Sequence, residues 1–224
     1  MKKVLFLMMS VFALTSCKMD LKGWNTNLIE ASNNVVTKEY KLKPFEEVKM
    51  NCAGHVELIQ SETKNGIVEL TAPDNYIELY KFNSDGKQLN IGFNKHNINI
   101  HTKSVTIKVY TTDLTKIINS GVGGIQMDSL DTDRIDIVNS GVGSITISGI
   151  ADDVDLENSG VGSINAQGLK ALNAKAVVSG VGSIECYASE KIEGRVSGVG
   201  SLRYGGNPKQ KNNKRTGVGS INEM

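Results

Sequence analysis

Two pairs of aspartates carry the spacing that chemistry would need. Asp136 and Asp155 each lie four residues before a Ser-Gly-Val-Gly-Ser-Ile segment, and Asp133 and Asp152 each lie seven before it. Asp128, Asp131 and Asp153 stand nearby. Carboxylates gathered this way can ligate a hard cation such as calcium, or divide acid and base roles at a glycosidic bond. Like charges on neighbouring rungs repel unless a cation or a base intervenes. Arg134 shares the offset of Asp153 and Lys175 that of Asp155, so a solvated, partly compensated face is the default reading. Asp133, Asp136, Asp152 and Asp155 remain the candidates for a weak calcium site, and no other metal and no cofactor is expected.

The Gly-Val-Gly core of that segment has the look of half a phosphate loop. A phosphate cradle needs a preceding strand, a following helix and a further Gly or Lys at fixed spacing. Here Ser-Ile and another strand follow each copy. Calcium-binding rolls repeat a Gly-rich nonapeptide with an Asp in each copy, whereas SGVGSI has no carboxylate and its period is twice as long. Carbohydrate-cleaving β-helices build a cleft from long insertions between strands. No such insertion interrupts the chain from Ser120 onward, and His55, His96 and His101 lack a nucleophile or an HExxH spacing. No residue is therefore assigned a catalytic role.

The elements that position these residues are set by repetition. The Ser-Gly pairs at Gly121, Gly141, Gly160, Gly180 and Gly198, and the Thr-Gly variant at Gly217, are separated by 20, 19, 20, 18 and 19 residues. Each unit has two or three short strands and no helical pattern, so it cannot bury a face alone and must stack on its neighbours. The prediction is an all-β fold: a right-handed parallel β-helix with about 19–20 residues per coil. Stacking is expected to place Val122, Val142, Val161, Val181, Val199 and Val218 in one ladder. Ile125, Ile145, Ile164, Ile184, Leu202 and Ile221 form a second, with both inside the bore. The glycines serve corners that bend sharply or leave no room for a Cβ. Asn119, Asn139 and Asn158 can form a stacked amide ladder, which ends where Val178 and Val196 replace Asn.

Residues 38–115 are β-rich but less regular. Strands are expected at residues 47–51, 55–60, 66–72, 88–93, 97–102 and 105–111, with a weak amphipathic helix over residues 76–82. The domain reading is one β-helical unit over residues 38–224, with the irregular part at 38–115 and the regular coils at 116–224.

The N-terminus is of a different kind. Lys2 and Lys3 precede an apolar run over residues 4–14, too short to span a bilayer, and then Leu14-Thr15-Ser16-Cys17. The last four residues resemble a bacterial lipobox, which implies a signal peptide over residues 1–16 and acylation of Cys17. Residues 17–37 then read as lipidated Cys and flexible tether, with the lone Trp24 inside it. Lipid chains would hold the mature protein at a membrane, each buried methylene contributing about 0.8 kcal/mol.

The 224-residue chain carries 25 Lys and Arg against 24 Asp and Glu, so no nucleic-acid partner is implied. Lys209, Lys211, Lys214 and Arg215 form a local basic cluster that reads as a solvated loop or end cap. Cys52 and Cys186 fall in distant units, which predicts two free, largely buried thiols.

The stretches FEEVKMNCAGHVELIQ and IKVYTTDLTKIINSGVGGI, together with the serial SGVGSI units, resemble the head GIN domain family of auto-transporter adhesins over residues 40–221. That family is found largely in lipoproteins of the Bacteroidetes group. The resemblance implies a parallel β-helix and a lipid-anchored place in the cell envelope, at the surface or periplasmic side of the outer membrane. It supplies no ligand and no set of binding residues. The leading expectation is non-enzymatic binding or adhesion to a glycan or an envelope protein. The alternatives are a structural component that self-assembles into homo-oligomers and, more weakly, a glycan-active enzyme.

Overall fold

The structure, a computed structural model, describes residues 28–224. The signal peptide, Cys17, Trp24 and the first part of the tether lie outside the described residues.

Short strands build the N-terminal part: Leu28–Ile29 (β1), Val35–Lys41 (β2), Glu47–Met50 (β3), Ala53–Gln60 (β4) and Ile67–Pro73 (β5). After a single helical turn, Asp74–Ile77 (α1), come Tyr80–Ser84 (β6), Gln88–Phe93 (β7), Asn99–Ile100 (β8) and Thr106–Thr111 (β9). Two expectations need correction here. The tether does not extend to Thr37: β1 pairs with β8, and β2 pairs antiparallel with β5 through Val35↔Pro73 to Lys41↔Ile67. Between those strands Ser32 donates to Asp74 and Asn34 donates to Asp74 at 2.9 Å, so polar side chains fasten the segment. Nor is there a helix over residues 76–82. Tyr80 and Phe82 belong to β6, which pairs antiparallel with β7, and the Tyr80 and Phe93 rings pack at 4.9 Å.

From Lys116 the chain winds as parallel coils: Lys116–Asn119 (β10), Val122–Asn139 (β11), Val142–Asn158 (β12), Val161–Val178 (β13), Val181–Val196 (β14), Val199–Gly205 (β15), Gln210–Arg215 (β16) and Val218–Glu223 (β17). Strands of 16–18 residues bend around the coil, with register shifts at Met127/Leu130 and Thr146/Ser148. Identical positions of successive repeats are hydrogen-bonded partners, as in Ile125↔Ile145, Ile145↔Ile164 and Ile164↔Ile184.

A further, degenerate coil precedes the six repeats. β3 pairs with β10 and β4 pairs with β11 in the same register, setting Ala53 opposite Val122, Gly54 opposite Gly123 and Val56 opposite Ile125. The segment Asn51-Cys52-Ala53-Gly54-His55-Val56 is therefore the first corner of the solenoid. Only Gly54 and the apolar Val56 betray it in the sequence.

The bore is filled by the isoleucine ladder, with Ile145, Ile164, Ile184 and Leu202 fully buried, and by columns such as Ile135, Val154, Ala174 and Ile192. Each buried aliphatic side chain contributes about 1.5–3 kcal/mol. The valine ladder, by contrast, is outside. Val122, Val142, Val161, Val181, Val199 and Val218 are 52–74% exposed. Ile145 lies three positions after Val142, and with period-two alternation an odd offset puts the two on opposite faces. Burying the isoleucines therefore turns every valine to solvent.

Asn119, Asn139 and Asn158 are fully buried and form the amide ladder: Asn119 Nδ2 donates to Asn139 Oδ1 at 3.0 Å, and Asn139 Nδ2 to Asn158 Oδ1 at 3.2 Å. Beside them, the corner glycines bring rungs into close contact. A Cβ on Gly141 or Gly143 would collide with the carbonyl oxygen of Gly121 or Gly123, and Gly143 also has φ of 146°.

Candidate functional site

The strand that enters each corner presents alternate residues outward, and the parallel register turns them into columns. Asp136 on β11 pairs with Asp155 on β12, preceded by Lys116 on β10 and followed by Lys175 on β13 and Glu193 on β14. The stacking of Asp136 on Asp155 read from repeat offsets is thus present. Arg134 settles its electrostatics: its guanidinium lies 3.5 Å from Asp136 Oδ1 and is ion-paired with Asp155. Lys116 Nζ reaches Asp136 Oδ2 at 3.7 Å from the other side. The two carboxylates share an arginine where a metal site would hold a cation.

Asp133 and Asp152 are exposed residues next to Arg134 and Asp153, and Asp153 accepts a hydrogen bond from Asn173 Nδ2 at 2.9 Å. Among the described residues, no group of three or more His, Cys, Asp or Glu side chains is placed to hold a metal ion. Asp136 and Asp155 do not fit calcium, because basic side chains already pair with them, and Asp133 and Asp152 join no such group.

Two shallow depressions flank this column. One, of about 200 Å³, lies between Lys116, Asp136, Val138, Asp155, Glu157 and Val177. The other, of about 160 Å³, is lined by Arg134, Asp153, Asn173, Lys191 and Glu193. Asp155 and Lys175 line both. Lys191 is held by Glu193 at 2.6 Å, whereas Lys175 makes no ion pair among the described residues. Sequence offsets located the carboxylates. The depressions were not legible, because they depend on which outward residues are short, such as Val138 and Val177.

Around the Ser-Gly corner lies a second exposed surface, the valine ladder. It is bordered by Ser120, Ser140 and Ser159, and a broad concavity of about 510 Å³ runs along it. The Ser120 and Ser140 hydroxyls are 3.0 Å apart, and Ser140 Oγ donates to the Asn119 carbonyl at 3.2 Å. This surface carries no charge.

The C-terminal end of the bore is closed by polar groups. Lys211 stacks on buried Ile192, and Glu223 stacks on buried Tyr204. The Lys211 ammonium contacts both Glu223 oxygens at 2.8 Å. Lys209 pairs with Glu190 at 2.7 Å, and Arg215 donates to the Gly219 carbonyl at 2.8 Å. An inward ion pair where earlier rungs hold apolar side chains is poorly matched to a further coil. The basic cluster therefore belongs to an end cap.

Cys52 and Cys186 are free and buried, and burial pushes both thiols up to about 12. Of the histidines, His55 lies 4.0 Å from Glu57, His101 lies 3.6 Å from Glu30, and His96 is exposed. Among the described residues no helix is long and apolar enough to cross a membrane.

The family model described as "putative auto-transporter adhesin, head GIN domain" matches residues 44–208. Among solved structures, a putative adhesin from Bacteroides fragilis is 29% identical, with a TM-score of 0.74 over 88% of this chain and 100% of that one. A putative adhesin from Parabacteroides distasonis is 16% identical, with a TM-score of 0.53 over 88% of this chain and 100% of its own. Another from Parabacteroides merdae is 16% identical, with a TM-score of 0.51 over 88% and 99% of the two chains. At that identity the two Parabacteroides proteins show a shared fold. No curated protein matches the chain.

Proposed function

The chain belongs to the head GIN domain family of auto-transporter adhesins, and from that membership we propose that it is a non-enzymatic binding head of the cell envelope. It is anchored by lipid at Cys17 to the outer membrane and binds a glycan or an envelope protein through the sides of its solenoid. The observation that carries this reading is the uninterrupted outer surface of the coils. Six rungs repeat the same exposed residues, including an apolar ladder left in solvent, with no insertion that would wall in a reaction site. A contiguous apolar strip of this kind marks an interaction surface. The coils supply a rigid scaffold, so a partner meets preformed columns and little ordering entropy is lost.

Binding of the mature chain to a glycan panel and to envelope extracts tests the reading. Specific capture of a glycan or an envelope protein supports it, and capture of neither would overturn it. The anchor has its own test: incorporation of labelled fatty acid is expected in the wild type and lost in Cys17→Ser. The polar cap at Lys211 and Glu223 weighs against coaxial self-assembly as the main role.

A further inference from the structure

We infer that the two depressions on either side of Asp155 and Lys175 are adjoining subsites for an uncharged glycan, one sugar ring in each; this rests on the adhesin reading above. Charge comes first. Around the two depressions Lys116, Arg134, Lys175 and Lys191 face Asp136, Asp153, Asp155, Glu157 and Glu193, so four cations meet five carboxylates. Several are already committed to each other, Arg134 to both Asp136 and Asp155 and Lys191 to Glu193. An anionic ligand would meet the carboxylates, and a cationic one would have to displace Arg134 from them. A polyhydroxylated neutral ligand needs neither. It uses the hydrogen-bonding capacity that remains, since an ionised carboxylate offers about four acceptor positions and an ammonium three donors.

The central pair has that capacity. In its ion pair Asp155 engages Arg134 through Oδ2, and Lys175 has no ion-pair partner among the described residues. Stacked in register on successive rungs, they set an acceptor and a donor side by side along the boundary between the depressions. Adjacent hydroxyls of one ring, each both donor and acceptor, match that pairing, and both groups can serve the ring on either side. Charge-assisted hydrogen bonds of this type are roughly twice as strong as neutral ones.

Shape and apolar surface agree. Val138 and Val177 lie two residues beyond Asp136 and Lys175 on the same outward face, separated by Glu157 in the register. They give the larger depression a half-buried aliphatic floor against which the C–H face of a sugar can rest, the usual combination of apolar lining with a few placed polar groups. The charge-free valine ladder around the corner has serine hydroxyls but no ionised group to hold a ring in one orientation.

The test is calorimetric titration of the mature lipidated chain in detergent with neutral xylo-, cello-, manno- and malto-oligosaccharides and with anionic oligogalacturonate. At least one neutral series should bind. D155A/K175A should lower its affinity at least tenfold and V161T, on the valine ladder, should lower it less than D155A/K175A does, while K95A, at an exposed residue lining neither depression, stays within about threefold. Because the ligand is uncharged, raising salt well past the point where surface charges are screened, about 0.5 M, should change affinity less than twofold. Circular dichroism and urea midpoints on each variant separate lost binding from lost folding. Unchanged affinity in folded D155A/K175A, loss confined to V161T, or tighter binding of oligogalacturonate than of every neutral series would each overturn the subsites and leave the adhesin reading intact. If no glycan binds but an envelope protein is captured, the subsites fall alone; if neither binds, both fall.

Discussion

Replacing Asn139 with Val probes how the coil stack is specified. The substitution looks mild, because Val178 and Val196 fill the same inward column two and three rungs on. Its neighbours make it costly. Asn139 Oδ1 accepts from Asn119 Nδ2 at 3.0 Å, and Asn139 Nδ2 donates to Asn158 Oδ1 at 3.2 Å and to the Gly143 carbonyl at 3.3 Å. All three asparagines are fully buried, so water cannot replace the lost partner. Asn119 Nδ2 and Asn158 Oδ1 are orphaned, at about 1–3 kcal/mol each, and the valine methyls recover only part of this. The expected loss is about 2–4 kcal/mol. A double variant, N119V/N139V, removes one of the orphans along with its partner, so it should cost less than the sum of the two single changes. Urea unfolding followed by far-UV circular dichroism measures all three. An N139V chain within about 0.5 kcal/mol of wild type, or strict additivity in the cycle, would refute the claim that the ladder is a connected buried network.

Three further outcomes are expected. With thiols raised to about 12, Cys52 and Cys186 should react with iodoacetamide at pH 8 at least 1,000-fold more slowly in native than in urea-unfolded protein, where a thiol near 8.5 is partly ionised. Lys87 holds the Glu47 carboxyl below its ordinary range, and Lys64 does the same for Glu69. These folded-state values lie below the unfolded ones. The stabilisation is therefore present above the unfolded glutamate value, about 4.3, and is lost as pH falls through the folded values; acid titration of stability should be shallower in K87A and K64A. Finally, K211I/E223L replaces the inward ion pair with apolar groups at the last described rungs of the bore. This variant should form concentration-dependent oligomers by light scattering while the wild type does not, and a monomeric variant would dismiss the cap.

Much of the fold was legible because the repeat is nearly exact in length. The offsets of Asp136 and Asp155 from their corners became a true register, and the same counting placed Asn119, Asn139 and Asn158 in one column. The valines show how such reading fails. Apolar character suggested the bore, while the odd separation from Ile145, equally visible, sent Val142 outside. In the N-terminal part, non-local pairing decides the outcome. β2 is a strand because β5 offers an edge, and Tyr80 and Phe82 alternate across β6 against β7 despite a run that suits a short helix. The degenerate corner at Asn51 to Val56 was hidden because Asn51, Cys52, Ala53 and His55 replace four of the residues that mark the motif. Of the candidate site, the charges could be placed by counting. The depressions between them could not, since side-chain length and the reach of Arg134 across a rung decide where space remains.

The central claim, a lipid-anchored head that binds through its solenoid sides, is met most directly by adhesion of intact cells. Cells producing the wild-type chain, cells producing Cys17→Ser and cells lacking the gene are compared for attachment to immobilised neutral glycans and envelope fractions. Attachment should depend on the wild-type chain and drop to the deletion level with Cys17→Ser. Equal attachment by all three strains would contradict the account.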